Sequence, residues 1–189
     1  MSLLATVVAG TALGVLGVSG LAHLRRLDHL GRSLRRQALP RALRRVVTPG
    51  LVAAEVGVGL VGLTALVTGF GGAQLLRWAL GASAALYLAF AVYAAVLVRR
   101  RQEVPCGCGS EHEVVSGWTV ARAAVLAAGS LWAWSFTPGP VLSLGLGFEV
   151  ALAAVGSLGF TTLVWTLPAA LHDPGRGVPN GQIAALEAS

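Results

Sequence analysis

Charged residues are scarce in this sequence, and lysine is absent from it. Asp, Glu, Lys and Arg make up 12% of the 189 residues, whereas 55% are hydrophobic. A water-soluble domain of this size needs more charge to cover its surface, so the composition excludes an ordinary soluble fold. Cysteine is almost as rare, with two residues in the chain. Because Ala, Leu, Val and Gly around them do no chemistry, the two thiols are the leading candidates for a functional group.

The sequence contains several long apolar segments without charged residues or with very few. Each has about 20 residues or more, the length that crosses about 30 Å of hydrocarbon at 1.5 Å per residue. Backbone polar groups in lipid must be satisfied within each segment, which favours helices. The sequence therefore predicts an all-α, polytopic transmembrane bundle in a lipid bilayer, with residues 1–171 as a single domain and 172–189 as a flexible polar tail. The predicted spans, about five in number, are 2–22, 46–70, 75–98, 118–137 and 141–167.

The arginines are placed unevenly. Eight of them lie between Arg25 and Arg45, and Arg99, Arg100 and Arg101 close the third span. In a five-span topology these loops and the C-terminal tail share one side of the membrane, and basic loops stay in the cytoplasm. The pattern predicts a multi-pass protein of the cell membrane whose N-terminus is outside, with the basic loop, the cysteine loop and the C-terminus inside. Orientation, with contact to anionic lipids, explains the net charge of +6 better than nucleic-acid binding.

The two cysteines stand one residue apart between the third and fourth spans, as Cys106-Gly107-Cys108. A disulfide needs Cα atoms about 4.4–6.8 Å apart, which residues two apart reach only where the chain bends, as Gly107 permits. The small ring is strained and easily reduced, and the nearby arginines favour the reactive thiolate. The spacing predicts a reversible redox pair. The alternative is a site for Cu(I) or zinc with His112 as a third ligand, although the spacing matches no standard zinc module.

Apart from Arg77 at the start of the third span, three charges fall inside the predicted spans. Glu55 lies about two turns into the second span, and Arg122 about one turn into the fourth, both near the cysteine side. A lone charge in a span is unfavourable, so we expect these two side chains to face each other. Such a pair either fixes helix packing or forms a polar site beneath the cysteine loop. Glu149, nearer to mid-membrane, has no evident cationic partner and would face a pore or a neighbouring subunit.

These segments together resemble the methylamine-utilisation MauE family of membrane proteins, related to DoxX-like bundles, over roughly residues 5–137. The resemblance is carried by a basic loop, by a second span with Glu55, and by two motifs: Cys106-Gly107-Cys108-Gly109 and Trp118-Thr119-Val120-Ala121-Arg122. The sequence departs from the family where Gly109 and Ser110 replace the usual Phe-Gly. It also carries a fifth, C-terminal span beyond the usual four-span core.

The resemblance implies that the protein assists the maturation of a partner protein, alongside thioredoxin-like proteins. Cys106 and Cys108 would then be the redox pair of a thiol–disulfide oxidoreductase, with Glu55 and Arg122 as supporting membrane charges. One cysteine pair cannot pass electrons across a membrane, so a quinone, a second protein or a metal is also required. The alternative from another functional class is a non-catalytic structural or metal-binding subunit of a membrane respiratory or transport complex.

The predicted side of the cysteines and their predicted chemistry disagree. Disulfides form outside the cytoplasm, whereas the arginine pattern places the cysteine loop inside. Either the bundle is inverted against its charge bias, or the pair serves thiol exchange in the cytoplasm.

Overall fold

The regular structure is helical throughout the part of the chain that the computed structural model describes, residues 3–25, 41–100, 115–136 and 147–171. This confirms the all-α prediction, and the helix bounds follow the predicted spans to within a few residues. Only α2 begins clearly earlier than its span, so that Pro49 lies inside the helix and not in its first turn. The five helices are α1 Leu3–Arg25, α2 Arg41–Thr68, α3 Gly72–Arg99, α4 Gly117–Phe136 and α5 Gly147–Leu171.

Length and hydropathy make this bundle a membrane bundle. Within the described residues, three helical segments are long and apolar enough to cross a bilayer: Leu3–Arg25, Val46–Thr68 and Gly72–Arg99. The helix α5 contains a shorter apolar segment, Val150–Val164. The helix α4 has 20 residues and carries Arg122 within an otherwise apolar sequence.

The first helix is the centre of the bundle, since α1 packs against each of the other four helices. The remaining close contacts are α2 with α3, α3 with α4 and, over a short stretch, α4 with α5. The α1 side chains Ala9, Ala12 and Leu13 are almost completely buried. A helix that is apolar on all sides suits this central position.

Glycines bring α1 and α2 together in an antiparallel crossing. A Cβ atom on Gly59 would lie 2.8 Å from Cα of Gly17, so the two backbones touch there. One turn further along α2, a Cβ atom on Gly62 would lie 2.5 Å from Cδ2 of Leu13. Small residues at such crossings permit the close approach on which helix association in lipid depends.

The other contacts fix the directions of the helices. Gly10 faces Ser157 and Gly14 faces Thr161, so α1 and α5 run parallel. A turn with three positive-φ glycines, Gly69, Gly71 and Gly72, reverses the chain between α2 and α3. This turn marks one end of the bundle, the turn end. At the other end, here called the arginine end, α1 and α3 finish at Arg25 and Arg99 while α2 and α4 begin.

Candidate functional site

The residues of the predicted redox pair, Cys106 and Cys108, and the alternative metal ligand His112 lie outside the described residues. The structure does describe the two points from which their segment departs. Arg100 follows α3, its N–H donating to the carbonyl of Val96 at 3.0 Å, and Ser116 precedes α4. The backbone N–H of Ser116 donates to Oγ1 of Thr119 at 3.3 Å, a contact typical of a helix start. Both points are at the arginine end.

A buried acid–base pair lies at this same end. Nδ1 of His23 and Oε2 of Glu55 are 2.7 Å apart, and their side chains are 6% and 12% exposed. The proton between them has two positions, because either the imidazole N–H donates to a carboxylate or a carboxylic O–H donates to the imidazole. If the other ring nitrogen, Nε2, also carries a proton, the charges of the imidazole and the carboxyl group cancel and the pair has no net charge.

The glycine at position 20 allows Glu55 to reach α1. A Cβ atom on Gly20 would lie 2.9 Å from Cβ of Glu55 and 2.8 Å from Cγ2 of Val56. Glu55 therefore rests directly on the backbone of α1. His23 follows Gly20 by almost one helical turn, which brings its ring next to the carboxyl group.

The expected ion pair between Glu55 and Arg122 is not formed. Within the described residues, the close helix contacts do not include α2 with α4, because α1 lies between these helices. Glu55 instead binds His23 on the central helix. Sequence depth alone placed Glu55 and Arg122 near the same membrane face, but it did not reveal which helices are neighbours.

Arg122 has a partner of a different kind. Its Nη1 donates to the backbone carbonyl of Val164 in α5 at 3.3 Å. In an α-helix that carbonyl accepts from the N–H four residues later, and residue 168 is proline, which has none. Arg122 thus supplies the donor that Pro168 cannot. The helix α5 extends past Pro168 to Leu171.

The described residues do not test two further predictions, the role of Glu149 and the alternative metal site. Glu149 lies in α5, but its side chain is outside the described part, so the expectation of a pore or subunit contact stays a prediction. Among the described side chains, no three His, Cys, Asp or Glu residues group as a metal site. The metal alternative involves residues of the undescribed segment and is likewise still a prediction.

An apolar groove lies between α1, α2 and α5, with a volume of about 450 Å³. Gly14, Leu60 and Ala153 are among the residues that line it, and neither His23 nor Glu55 is. Such a lining suits hydrocarbon chains and offers no acid or base to a polar headgroup.

Sequence analysis missed His23, the partner of Glu55. The predicted first span ended at residue 22, so His23 fell in the basic loop, whereas α1 continues to Arg25. One signal could have found it. Gly20 and His23 occupy the end of one span, and Glu55 lies in the adjacent span of an antiparallel hairpin, at a similar distance from the arginines.

The comparison with known families agrees with this architecture. A family model described as methylamine utilisation protein MauE matches residues 1–136, which contain α1 to α4, both cysteines and the His23–Glu55 pair. Comparisons with curated proteins and with solved structures found no match. The helix α5 lies beyond the matched region and packs parallel to α1. Since the match covers more than two thirds of the chain, the protein belongs to the MauE family of membrane proteins.

Proposed function

We propose that the protein carries out thiol–disulfide exchange through Cys106 and Cys108 and thereby assists the maturation of a partner protein. The family description associates its members with methylamine utilisation, which makes an enzyme of that pathway a candidate partner. The observation that carries the proposal is the end of α3. Arg99 and Arg100 are exposed there, directly before the segment that holds the two cysteines. Cations beside a thiol favour the thiolate, which is the nucleophile of the exchange.

The exchange balances as a two-electron reaction. A thiolate of the reduced partner attacks one sulfur of a Cys106–Cys108 disulfide, and the bond between these sulfurs breaks as a mixed disulfide forms. A second thiol of the partner then attacks the mixed disulfide and leaves as the oxidised partner. Two electrons and two protons have moved to Cys106 and Cys108. Their return to the disulfide requires a two-electron acceptor, for which a thioredoxin-like disulfide or a quinone is suitable.

Thiol counting tests the proposal on the full-length protein. The protein is alkylated after treatment with a mild oxidant or with a reductant, and the alkyl groups are counted by intact mass. We expect no labelled thiol after oxidation and two after reduction. The variants Cys106→Ser and Cys108→Ser are the controls and should each keep one labelled thiol under both conditions. Two free thiols in the oxidised parent protein would contradict the redox function.

A second measurement addresses the side of the membrane. A membrane-impermeant thiol reagent is applied to intact cells and to inverted vesicles that contain the parent protein. Labelling in inverted vesicles alone would support exchange with cytoplasmic thiols, as the arginine pattern predicts. Labelling on intact cells would support a role with partners outside the cytoplasm, where protein disulfides form.

A further inference from the structure

The apolar groove between α1, α2 and α5 opens at the outer surface of the bundle. Its walls include exposed side chains from all three helices: Val18 of α1, Leu60 of α2 and Leu158 of α5. Within the described residues, α2 and α5 are not a closely packed pair, so α1 stays uncovered between them. Because these helices form a membrane bundle, the groove opens toward lipid and not toward water.

The lining of the groove favours hydrocarbon over water. Its only polar side chains are three hydroxyl-bearing ones, Thr6, Ser157 and Thr161. The hydroxyl of Ser157 already donates to the backbone carbonyl of Val7 at 3.3 Å. A bound water needs two to four polar partners, which this lining does not offer. An empty groove would lose the dispersion contacts of its walls, so a hydrocarbon chain is the suitable occupant.

The groove is long enough for such a chain. It follows α1 from Thr6 to Leu21, a rise of about 22 Å at 1.5 Å per residue. One leaflet of a bilayer provides about 15 Å of hydrocarbon, which is half of the full apolar thickness. A chain that enters at the arginine end would therefore lie along the groove from Leu21 past Gly17 to the neighbourhood of Gly14.

Arg25 lies where this chain would enter the groove. It follows Leu21 by four residues, so it occupies the same face of α1 one turn further toward the arginine end. Its side chain is exposed, and among the described side chains it makes no ion pair. Two residues separate it from His23, which places it on the other side of α1 from the contact with Glu55. A guanidinium group in this position matches the charge and the geometry of a phosphate group.

The opposite end of the groove offers no such charge. Toward the turn end, the described side chains of α1, α2 and α5 carry no formal charge. Arg77 of α3 is near that end, but its guanidinium lies over the ring of Trp134. The charge next to the groove therefore favours an anionic headgroup at the arginine end.

The same charges argue against a second copy of the chain as the occupant. Copies in one membrane share one orientation, so two grooves that face each other would bring the Arg25 side chains of both copies together. Each chain also has a net charge of +6, and like charges repel. An anionic phospholipid has the opposite charge, and it supplies a phosphate for Arg25 together with a hydrocarbon chain for the groove.

We propose that the groove between α1, α2 and α5 is a binding site for an anionic phospholipid. One acyl chain lies in the groove against the glycines of α1, and the phosphate binds the guanidinium of Arg25. The site joins α1 to α2 and α5 on the face where these two helices do not pack closely together. It does not involve the cysteines, so it stands or falls independently of the redox function.

A side chain that fills the groove tests where the acyl chain binds. Gly17 lines the groove, and a Cβ atom on it would meet nothing within 4 Å, so the side chain of Gly17→Leu begins in open space. Gly57→Leu is the matched control, because a Cβ atom on Gly57 also meets nothing within 4 Å but Gly57 is not part of the lining. Ala154→Leu fills the groove a second time, from the wall formed by α5.

A charge substitution tests where the headgroup binds. Arg25→Gln removes the guanidinium next to the groove. Arg99→Gln is its control, since Arg99 is also exposed at the arginine end but belongs to α3, which does not line the groove. Both variants lower the net charge of the protein by the same amount.

The measurement is native mass spectrometry of the full-length protein in detergent, titrated with phosphatidylglycerol or with phosphatidylcholine of the same acyl chains. The parent protein should bind the first phosphatidylglycerol about fivefold more tightly than the first phosphatidylcholine. Arg25→Gln should lose this preference, whereas Arg99→Gln should keep it. Gly17→Leu and Ala154→Leu should bind both lipids more weakly than the parent, whereas Gly57→Leu should bind them equally well.

Several results would overturn the proposal. If both filling variants bind phosphatidylglycerol as the parent does, the groove is not the site. Equal losses of preference in Arg25→Gln and Arg99→Gln would show a general attraction to the charged end. If the parent is a dimer by mass and Gly17→Leu is a monomer, the groove is a contact between copies. Thermal unfolding without added lipid checks each fold, and should Gly17→Leu be unfolded, Ala154→Leu decides the result.

Discussion

At the scale of single residues, the two charges that sequence analysis placed near the arginine end have different partners. Glu55 binds the imidazole of His23, 2.7 Å away. Arg122 binds a backbone carbonyl of α5, 3.3 Å away. Each contact satisfies a group that would be costly to leave alone in a low-dielectric interior. The two contacts join different pairs of helices, α1 with α2 and α4 with α5, so we expect them to act independently.

A pair of double-mutant cycles measures this independence. We expect His23→Ala and Glu55→Ala each to lower the free energy of unfolding by about 3 kcal/mol, because each leaves the other residue buried and unpaired. The double variant should lose about 1–3 kcal/mol less than the sum. Glu55→Ala with Arg122→Ala should add to within about 0.5 kcal/mol. The measurement is equilibrium unfolding in detergent, and strong coupling between Glu55 and Arg122 would contradict the structure.

The contact between Arg122 and Val164 predicts a rescue. Arg122→Met should lower the free energy of unfolding by about 1–3 kcal/mol, because it leaves the carbonyl of Val164 without a donor. Pro168→Ala restores the backbone N–H four residues after Val164, so Arg122→Met should be much less harmful in that background. Arg77→Met is the control, since Arg77 lies near the turn end, over the ring of Trp134. Equal losses in both backgrounds would show that Pro168 is not the reason for the contact.

Single residues show where sequence analysis was sufficient and where it was not. The hydropathy of the chain identified Glu55 and Arg122 as unusual, because a charge within an apolar run is visible without a fold. Their partners depend on which helices are neighbours, and no local pattern contains that information. Pro168 does indicate one group that needs a partner, because a proline inside a helix leaves the carbonyl four residues earlier without its donor. It does not indicate that Arg122 is that partner.

At the scale of helices, the contact between α1 and α2 depends on where small residues coincide. Gly17 and Gly59 meet backbone to backbone, while Gly20 meets the Cβ of Glu55. The direction in which a side chain would project also matters. A Cβ atom added to Gly57, or to Gly17 on the side away from the crossing, would meet nothing within 4 Å. Glycine content alone therefore does not identify the crossing point.

Matched glycine substitutions test this distinction. Gly59→Ala should lower the free energy of unfolding by about 1–3 kcal/mol, because its new methyl group would meet the backbone of α1. Gly57→Ala, two residues away in α2, should be neutral or stabilise the protein by up to about 1 kcal/mol, since alanine is the better helix former. The readout is thermal unfolding in detergent. Similar destabilisation by both changes would contradict the crossing described here.

Sequence analysis recovered the helices themselves with small errors at their ends. Apolar runs fix the length of each helix, because a span must match the thickness of the hydrocarbon layer. Within the described residues, the largest difference is at the beginning of α2. Residues 41–45 continue α2 into a basic stretch that hydropathy assigned to the loop.

At the scale of the whole molecule, the two ends of the bundle lie on opposite sides of the membrane that its helices cross. The turn at residues 69–71 belongs to one side, and the start of α4 belongs to the other. We predict from the arginine distribution that the second of these sides faces the cytoplasm.

Engineered cysteines test this orientation, because the natural cysteines can be removed with two substitutions. In a Cys106→Ser/Cys108→Ser background, Phe70→Cys marks the turn end and Ser116→Cys marks the arginine end, both at exposed positions. We expect an impermeant thiol reagent to label Phe70→Cys on intact cells and to leave Ser116→Cys unlabelled. The reverse result would establish an inverted bundle. Labelling of both would contradict a structure with these positions at opposite ends.

The central position of α1 has a consequence for biosynthesis. This helix is translated before α5, yet its face with Gly10 and Gly14 packs against Ser157 and Thr161 of α5. At about 5–20 residues per second, the ribosome needs on the order of ten seconds to make the intervening chain. During that interval a nascent first span lies in the membrane with its small-residue face open to other nascent chains. Correct assembly therefore requires that α5 packs against α1 of its own chain before the α1 helices of two nascent chains pair with each other.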